Sequence, residues 1–246
     1  MEENTYCWLK NVLKNEYRFV KNMKQSPDAV INIMENLQSG KRILVKDITG
    51  NAGVYKELIA LNHKNIPVVY DVVSDGKSTL VIEEYIDGLT VGEILETGLY
   101  TSQGVSRVIV ALCEALSVLH SRGIVHRDIK PENVMITNVG EVKLIDYDIS
   151  RMMGNARKKD TIILGTSGFA SPEQYGISET DGRSDIYSMG ILINVMLTGE
   201  HPAKKLCGGK WKKIVNKCTK INPDERFQNV GELIKAMGYK TNFPSN

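Results

Sequence analysis

The hydrophobic pattern of this chain changes its period near residue 86, and few folds accommodate both halves. Before that point the apolar residues come in short β-rich runs, YRFVKNM, AVINIMEN, RILVKDI, IPVVYDVV and TLVIEEYI, separated by the turn clusters SPD, QSGK and SDGK. This predicts a small, mainly antiparallel sheet. After it the period is helical. Val105, Val108, Ile109, Leu112, Leu116 and Leu119 follow one face of a helix that stops near Gly123. DIYSMGILINVMLTG is apolar nearly all round, as a helix buried in the middle of a lobe would be. Two short strands, NVMITN and EVKLIDYD, lie between these helices and meet at the turn residues Asn138 and Gly140. The expected class is α+β, with a small β-rich N-lobe, a larger helical C-lobe and a cleft between them. Residues 1–16 form an N-terminal extension, 17–86 the first lobe and 87–246 the second.

Composition narrows the setting. With 42% hydrophobic and 24% charged residues, 246 residues make an ordinary globular chain, and 31 basic against 29 acidic side chains argue for neither nucleic acid nor a membrane surface. Cys7, Cys113, Cys207 and Cys218 show no CxxC pair and no metal-ligand spacing, which suits a reduced compartment. The start, MEENTYCWLK, has no apolar stretch of signal length, and no run approaches the ~18 apolar residues of a membrane span. A cytoplasmic protein is expected.

The densest polar cluster is HRDIKPEN, residues 126–133. Singly, each of its residues reads as a solvated turn or a helix cap. Asp128 with Asn133 five positions on, and Asp146 of LIDYD eighteen positions after Asp128, instead bring three oxygen-bearing groups to the ends of adjacent loops. Such a set suits Mg2+, which binds through few protein oxygens and through substrate phosphates.

HRDIKPEN, LIDYD and GTSGFASPEQ, in that order, resemble the catalytic loop, metal-binding loop and activation-segment end of the eukaryotic-like protein kinases, over roughly residues 17–238. The wording is most similar to the bacterial Ser/Thr kinases of that superfamily. The resemblance implies a kinase that uses ATP and Mg2+ to phosphorylate a protein Ser/Thr hydroxyl. Asp128 would accept or orient the hydroxyl proton, Lys130 would neutralise the transferring phosphoryl group, and Asn133 and Asp146 would hold the metal. Thr166 would sit by Asp128 and Lys130, and Thr161, after the basic triplet Arg157, Lys158 and Lys159, is a candidate phosphorylation site facing Arg127. The triplet is more commonly a solvated loop, and the alternative is an attractor of acidic substrates. Glu173 and Arg226 match a structural ion pair, and Asp185 matches the residue that fixes the catalytic-loop backbone.

The first lobe departs from the family pattern. Lys46 in RILVK takes the place of the phosphate-binding lysine and Val30 that of the valine after the glycine-rich loop, yet NMKQSPDAV puts Met23, Gln25 and Asp28 at the glycine places. Counting back from His63 places Val54 where the family has the glutamate that pairs with the lysine; Glu57, one turn on, is one substitute. Glu83, at the position usually filled by an apolar gatekeeper, is another, since a carboxylate there needs a partner. Glu84 and Ile86 would offer hinge backbone to adenine, and Asp148 replaces the glycine after Asp146. These departures leave open a second reading, a pseudokinase-like binding or scaffold module with weak or no turnover, and a third, transfer to a small molecule. Trp8, Leu9, Val12 and Leu13 are at near-helical spacing, for packing on the first lobe or for a partner. The chain ends soon after the last family helix, so any signal is expected to arrive through a regulatory protein partner or through the kinase surface.

Overall fold

The computed structural model describes residues 2–50, 52–153, 168–175 and 180–240, and these form two compact units, residues 1–87 and 88–246. The first opens with α1 (Glu2–Glu16) and continues through β1 (Tyr17–Ser26), β2 (Ala29–Asn36), β3 (Arg42–Thr49), α2 (Ala52–Ile59), β4 (Val69–Ser74) and β5 (Ser78–Glu84). The strands make one antiparallel sheet in the order β1-β2-β3-β5-β4.

Alternation along β3 and β5 divides the work of the sheet between its faces. Ile43 and Val45, with Leu80 and Ile82, point to one face and pack against Tyr6, Leu9 and Leu13 of α1. Full burial of a leucine contributes about 1.5–3 kcal/mol, so α1 is an integral layer of this unit. Asp47, on the same face, accepts hydrogen bonds from Tyr6 Oη and Lys10 Nζ, each at 2.8 Å. The buried stripe of α1 is Tyr6, Leu9 and Leu13 rather than the stripe through Trp8 expected from spacing; Trp8 is 60% exposed. A helix offers one stripe about 100° wide to a sheet, and positions 6, 9 and 13 fall on it where 8 does not.

The segment expected to be a lid loop is mostly strand. β1 runs to Ser26, and only Pro27 and Asp28 turn the hairpin into β2. The β1–β2 register shifts between Phe19 and Lys21 and between Asn22 and Lys24, so Val20 and Met23 are the extra residues of two bulges. Phe19 and Met23 are exposed.

The second unit contains β6 (Gly88–Thr90), α3 (Val91–Thr97), α4 (Ser102–Ser121), β7 (Ile124–Val125), β8 (Val134–Thr137), β9 (Val142–Leu144), β10 (Arg151–Met152), α5 (Gly182–Thr198), α6 (Gly209–Cys218) and α7 (Val230–Met237). Thr101 caps α4 by accepting the Gly104 N–H, and Asp181 caps α5 by accepting that of Arg183. α5 ends at Gly199, whose φ of 75° is the left-handed conformation that stops a helix. α5 is buried all round and passes so close to α6 that a Cβ on Gly190 would lie 2.4 Å from Cys218 Cβ. By length and composition α4 could cross a membrane, contrary to the expectation that no segment approaches that length. Its apolar stripe, including Leu112, Leu116 and Leu119, is spent in the core of this unit. β6, β8 and β9 form a small sheet and β7 pairs with β10, and the loops at their ends carry the polar cluster.

Candidate functional site

In the second unit Asp128 follows β7, and a 3-10 turn, Pro131–Asn133, carries the chain into β8. Proline at the start of that turn loses nothing by lacking an N–H. The turn folds Asn133 back onto Asp128, so that Nδ2 donates to the Asp128 carbonyl at 2.9 Å and to its Oδ2 at 2.8 Å. Lys130 Nζ lies 2.6 Å from the same Oδ2. One carboxylate oxygen therefore receives an ammonium and an amide donor. The Ile145 N–H donates to Asn133 O at 2.9 Å, which brings the residue before Asp146 against Asn133. Asn133 spends its amide nitrogen on Asp128, so Oδ1 is the atom it can offer a cation, and Asp146, half-buried, offers a carboxylate.

The backbone around this cluster is strained. Arg127 and Asp146 have φ of 71° and 67°, in the left-handed region that non-glycine residues seldom occupy. Each such residue costs on the order of 1–3 kcal/mol and persists only when its surroundings hold it. Arg127 is held from both sides. Its N–H donates to Asp185 Oδ1 at 2.8 Å, and its carbonyl accepts from Gln174 Nε2 at 2.9 Å. The other oxygen of Asp185 accepts the His126 N–H at 3.0 Å and faces His120 Nε2 at 2.8 Å. Burial opposes the charge on Asp185, but the His120 bond, the nearby imidazoles and the Arg127 N–H outweigh it and hold the carboxyl below its ordinary pKa. His126 is fully buried, and burial lowers its pKa. Its Nδ1 accepts the Asp128 N–H at 3.3 Å, so Nε2 carries the proton and donates to Ile145 O at 3.1 Å. Within the DYD triplet the left-handed residue is Asp146 itself, and Asp148 is not among the positive-φ residues, so the glycine replacement carries no strain of that kind.

Glu173 and Arg226 form a two-pronged pair, Nη1 to Oε1 at 2.6 Å and Nη2 to Oε2 at 2.8 Å. Arg226 spends its other donors on the carbonyls of Lys220, Ile221 and Arg183, and Glu173 also accepts from Ser184 Oγ. Desolvation works against the Glu173 carboxylate, but the Arg226 bonds prevail and lower its pKa.

In the first unit the sheet face opposite α1 carries the second cluster. Lys46 pairs with Val81, and Glu83 with Leu44, across β3 and β5, which makes Lys46 and Glu83 diagonal neighbours on one face. Lys46 Nζ lies 3.1 Å from Glu83 Oε1, and both side chains are almost wholly buried. Nζ also donates to Tyr55 Oη of α2 at 3.0 Å, and Tyr55 has no exposed surface. Glu57 is exposed and does not take the place of the missing helix glutamate. Positions two apart on a helix point about 200° apart, so a helix that turns Tyr55 to the sheet turns Glu57 to solvent. Glu84 Oε2 accepts the Val68 N–H at 3.1 Å, and Ile86 is buried at the end of the unit. Val30 does not take the expected place: it pairs with Asp47 and so lies half-buried on the α1 face, while its neighbour Ile31 pairs with Lys46, because successive strand residues point to opposite faces.

Thr161 and Thr166 lie outside the described residues, as do Arg157, Lys158 and Lys159. Sequence reading missed Tyr55, Gln174 and His120. Tyr55 sits one position after Val54, so a count allowing one residue of slack reaches it. Gln174 stands inside the GTSGFASPEQ motif, where only its neighbour Glu173 drew notice. His120 carried no signal beyond its place at the end of a helix.

The family model described as protein kinase domain matches residues 46–237. The chain is 39% identical over 151 residues to the serine/threonine-protein kinase PknB of Mycobacterium tuberculosis, a stretch that is 58% of this chain and 24% of that protein. It is 37% identical over 150 residues to PknB of Mycobacterium leprae, covering 58% of this chain and 24% of that protein. To the serine/threonine-protein kinase PknL of Mycobacterium tuberculosis it is 40% identical over 144 residues, 58% of this chain and 36% of that protein. The match thus spans from about a quarter to just over a third of these relatives' length.

Proposed function

This chain belongs to the protein kinase family, and on that footing we propose that it is a serine/threonine protein kinase that transfers the γ-phosphate of ATP to a hydroxyl of a protein substrate. The observation that carries this reading is the Asp128 carboxylate with Lys130 at 2.6 Å and Asn133 at 2.8 Å, on a backbone fastened by Asp185. Asp128 takes up or orients the proton of the incoming hydroxyl. Lys130, already beside that carboxylate, meets the charge of the transferring phosphoryl group. Asn133 Oδ1 and Asp146 would hold Mg2+, which would neutralise charge on the phosphates. Their fit to that ion rests on hard oxygen donors, few in number, brought together by the Ile145 to Asn133 backbone bond.

In the first unit Lys46 binds the phosphates, with Glu83 and the Tyr55 phenol doing the work of the absent helix glutamate. Glu84 and Ile86 present hinge backbone. Glu83→Leu is expected to weaken ATP binding about tenfold or more, because it leaves Lys46 buried without its carboxylate. Isothermal titration of parent and variant measures this, and equal affinities would remove Glu83 from the role. The glycine-free hairpin is the one feature that favours a binding module without turnover. All four cysteines are unpaired, which fits a reducing, cytoplasmic setting.

The test is incubation with labelled ATP, Mg2+ and a mixture of protein substrates, followed by identification of the labelled amino acid. Label in phosphoserine or phosphothreonine is expected, and excess EDTA is expected to reduce it to background. Label in phosphotyrosine alone, or transfer that survives EDTA, would contradict the proposal.

A further inference from the structure

Between residues 201 and 223 the sequence holds seven lysines and no aspartate or glutamate, in a chain whose formal charge is only +2. α6 sorts this stretch by face. Trp211, Ile214, Val215 and Cys218 are buried, while Lys210, Lys213 and Lys217 stand exposed in one stripe. The three lysines border a groove of about 510 Å³ whose other walls include Ile214, Phe227 and Ala236, and no carboxylate among the described residues lines it. Lys217 Nζ lies 4.4 Å from the centre of the Phe227 ring.

Like charges three and four residues apart on a helix repel one another, so this stripe weakens α6 unless an outside partner supplies the opposite charge. The groove also has an apolar floor. We propose that it docks an acidic segment of a partner protein, with carboxylates on the lysine stripe and apolar side chains against Ile214 and Phe227. The dimensions agree. Lys213 and Lys217 are separated by about 6 Å of helix rise, and alternate side chains of an extended peptide by about 6.6 Å. A lipid surface fits less well because the floor is recessed; Ile214 is 4% and Phe227 5% exposed. Nucleic acid fits less well because Trp211, the aromatic among the lysines, is buried with Nε1 donating to Ser102 Oγ at 2.7 Å, and offers no face for base stacking. The docking surface is independent of the catalytic reading.

The experiment is fluorescence anisotropy of the full chain with a labelled peptide of alternating glutamate and leucine, beside one of alternating lysine and leucine. Saturable binding of the acidic peptide alone is expected, weakening as salt is raised. A variant carrying Lys210→Glu, Lys213→Glu and Lys217→Glu, with an unchanged melting curve, is expected to bind at least about tenfold more weakly. Asp128→Asn is expected to bind like the parent chain, so a failure of the kinase reading would leave this result intact. The proposal is overturned by no saturable binding at millimolar peptide, or by equal binding in the triple variant. It is also overturned if phosphatidylserine vesicles or duplex DNA bind more tightly than the peptide and lose that binding in the same variant.

Discussion

Asp128→Asn is expected to lower phosphoryl transfer by about 10²–10⁴-fold, the usual contribution of one positioned general base, while the protein melts within a few degrees of the parent. The substitution keeps the shape of the side chain and the Asn133 bond to the residue-128 carbonyl, so the loop retains its anchor. It removes the charge that Lys130 approaches at 2.6 Å and the oxygen that could receive a proton. The remaining fastening, from Asp185 to the backbone of His126 and Arg127, does not involve the Asp128 side chain. Initial rates at saturating ATP, together with a thermal melt, check both halves. A rate loss accompanied by a collapse in melting temperature would mean that Asp128 holds the loop together rather than doing chemistry.

Arg226→Ala is expected to destabilise the protein by about 3–5 kcal/mol, the usual cost of removing one partner of a buried ion pair. Arg226 is 2% exposed, and its loss leaves the Glu173 carboxylate buried with Ser184 Oγ beside it, and the carbonyls of Lys220, Ile221 and Arg183 without their guanidinium donor. Lysine at this position keeps the charge but not the fork, so Arg226→Lys should recover only part of the loss. The pair also gives stability a pH dependence of known sign. The carboxyl of Glu173 is held below its ordinary value of 4.5, so the folded protein binds fewer protons there than the unfolded chain. Its stabilisation is fully present above that value and is lost as pH falls through the lower folded one. Urea titrations of parent and Arg226→Ala at neutral pH and at acid pH measure both effects. A difference that stayed constant down to the acid limit would contradict the assignment.

The alternating pattern of the first unit was legible because a strand that buries one face must alternate. The five β-rich runs correspond to β1 through β5 and the turn clusters to their connections. α4 and α5 were legible for the same kind of reason, a 3.6-residue stripe in one and an all-apolar surface in the other. The juxtaposition of Lys46 and Glu83 could be inferred because a carboxylate at an apolar position needs a cation, and the only requirement was that both side chains share a face. What stayed hidden depends on rotation and register. Whether Tyr55 or Glu57 turns toward Lys46 is set by how α2 lies on β4, which a count of residues does not specify. The same holds for α1, where one stripe was chosen over its neighbour by the shape of the sheet beneath. The bulges in β1 turned an expected glycine-loop substitute into strand, because an extra residue at Val20 and at Met23 lets the pairing continue. His120 and Gln174 fasten Asp185 and Arg127 from distant positions in the chain, and local sequence has no vocabulary for such contacts.

Whether the intact catalytic loop works with an altered nucleotide-binding unit is decided by the rate of label transfer from γ-labelled ATP. The parent chain and Asp128→Asn should be assayed side by side, with Mg2+, a protein substrate and saturating nucleotide. Time-dependent phosphoserine or phosphothreonine is expected from the parent and at least about a hundredfold less from the variant. Nucleotide binding by both proteins with no transfer from either, with substrates that cover basic and acidic sequences, would contradict the kinase reading and leave a nucleotide-binding module in its place.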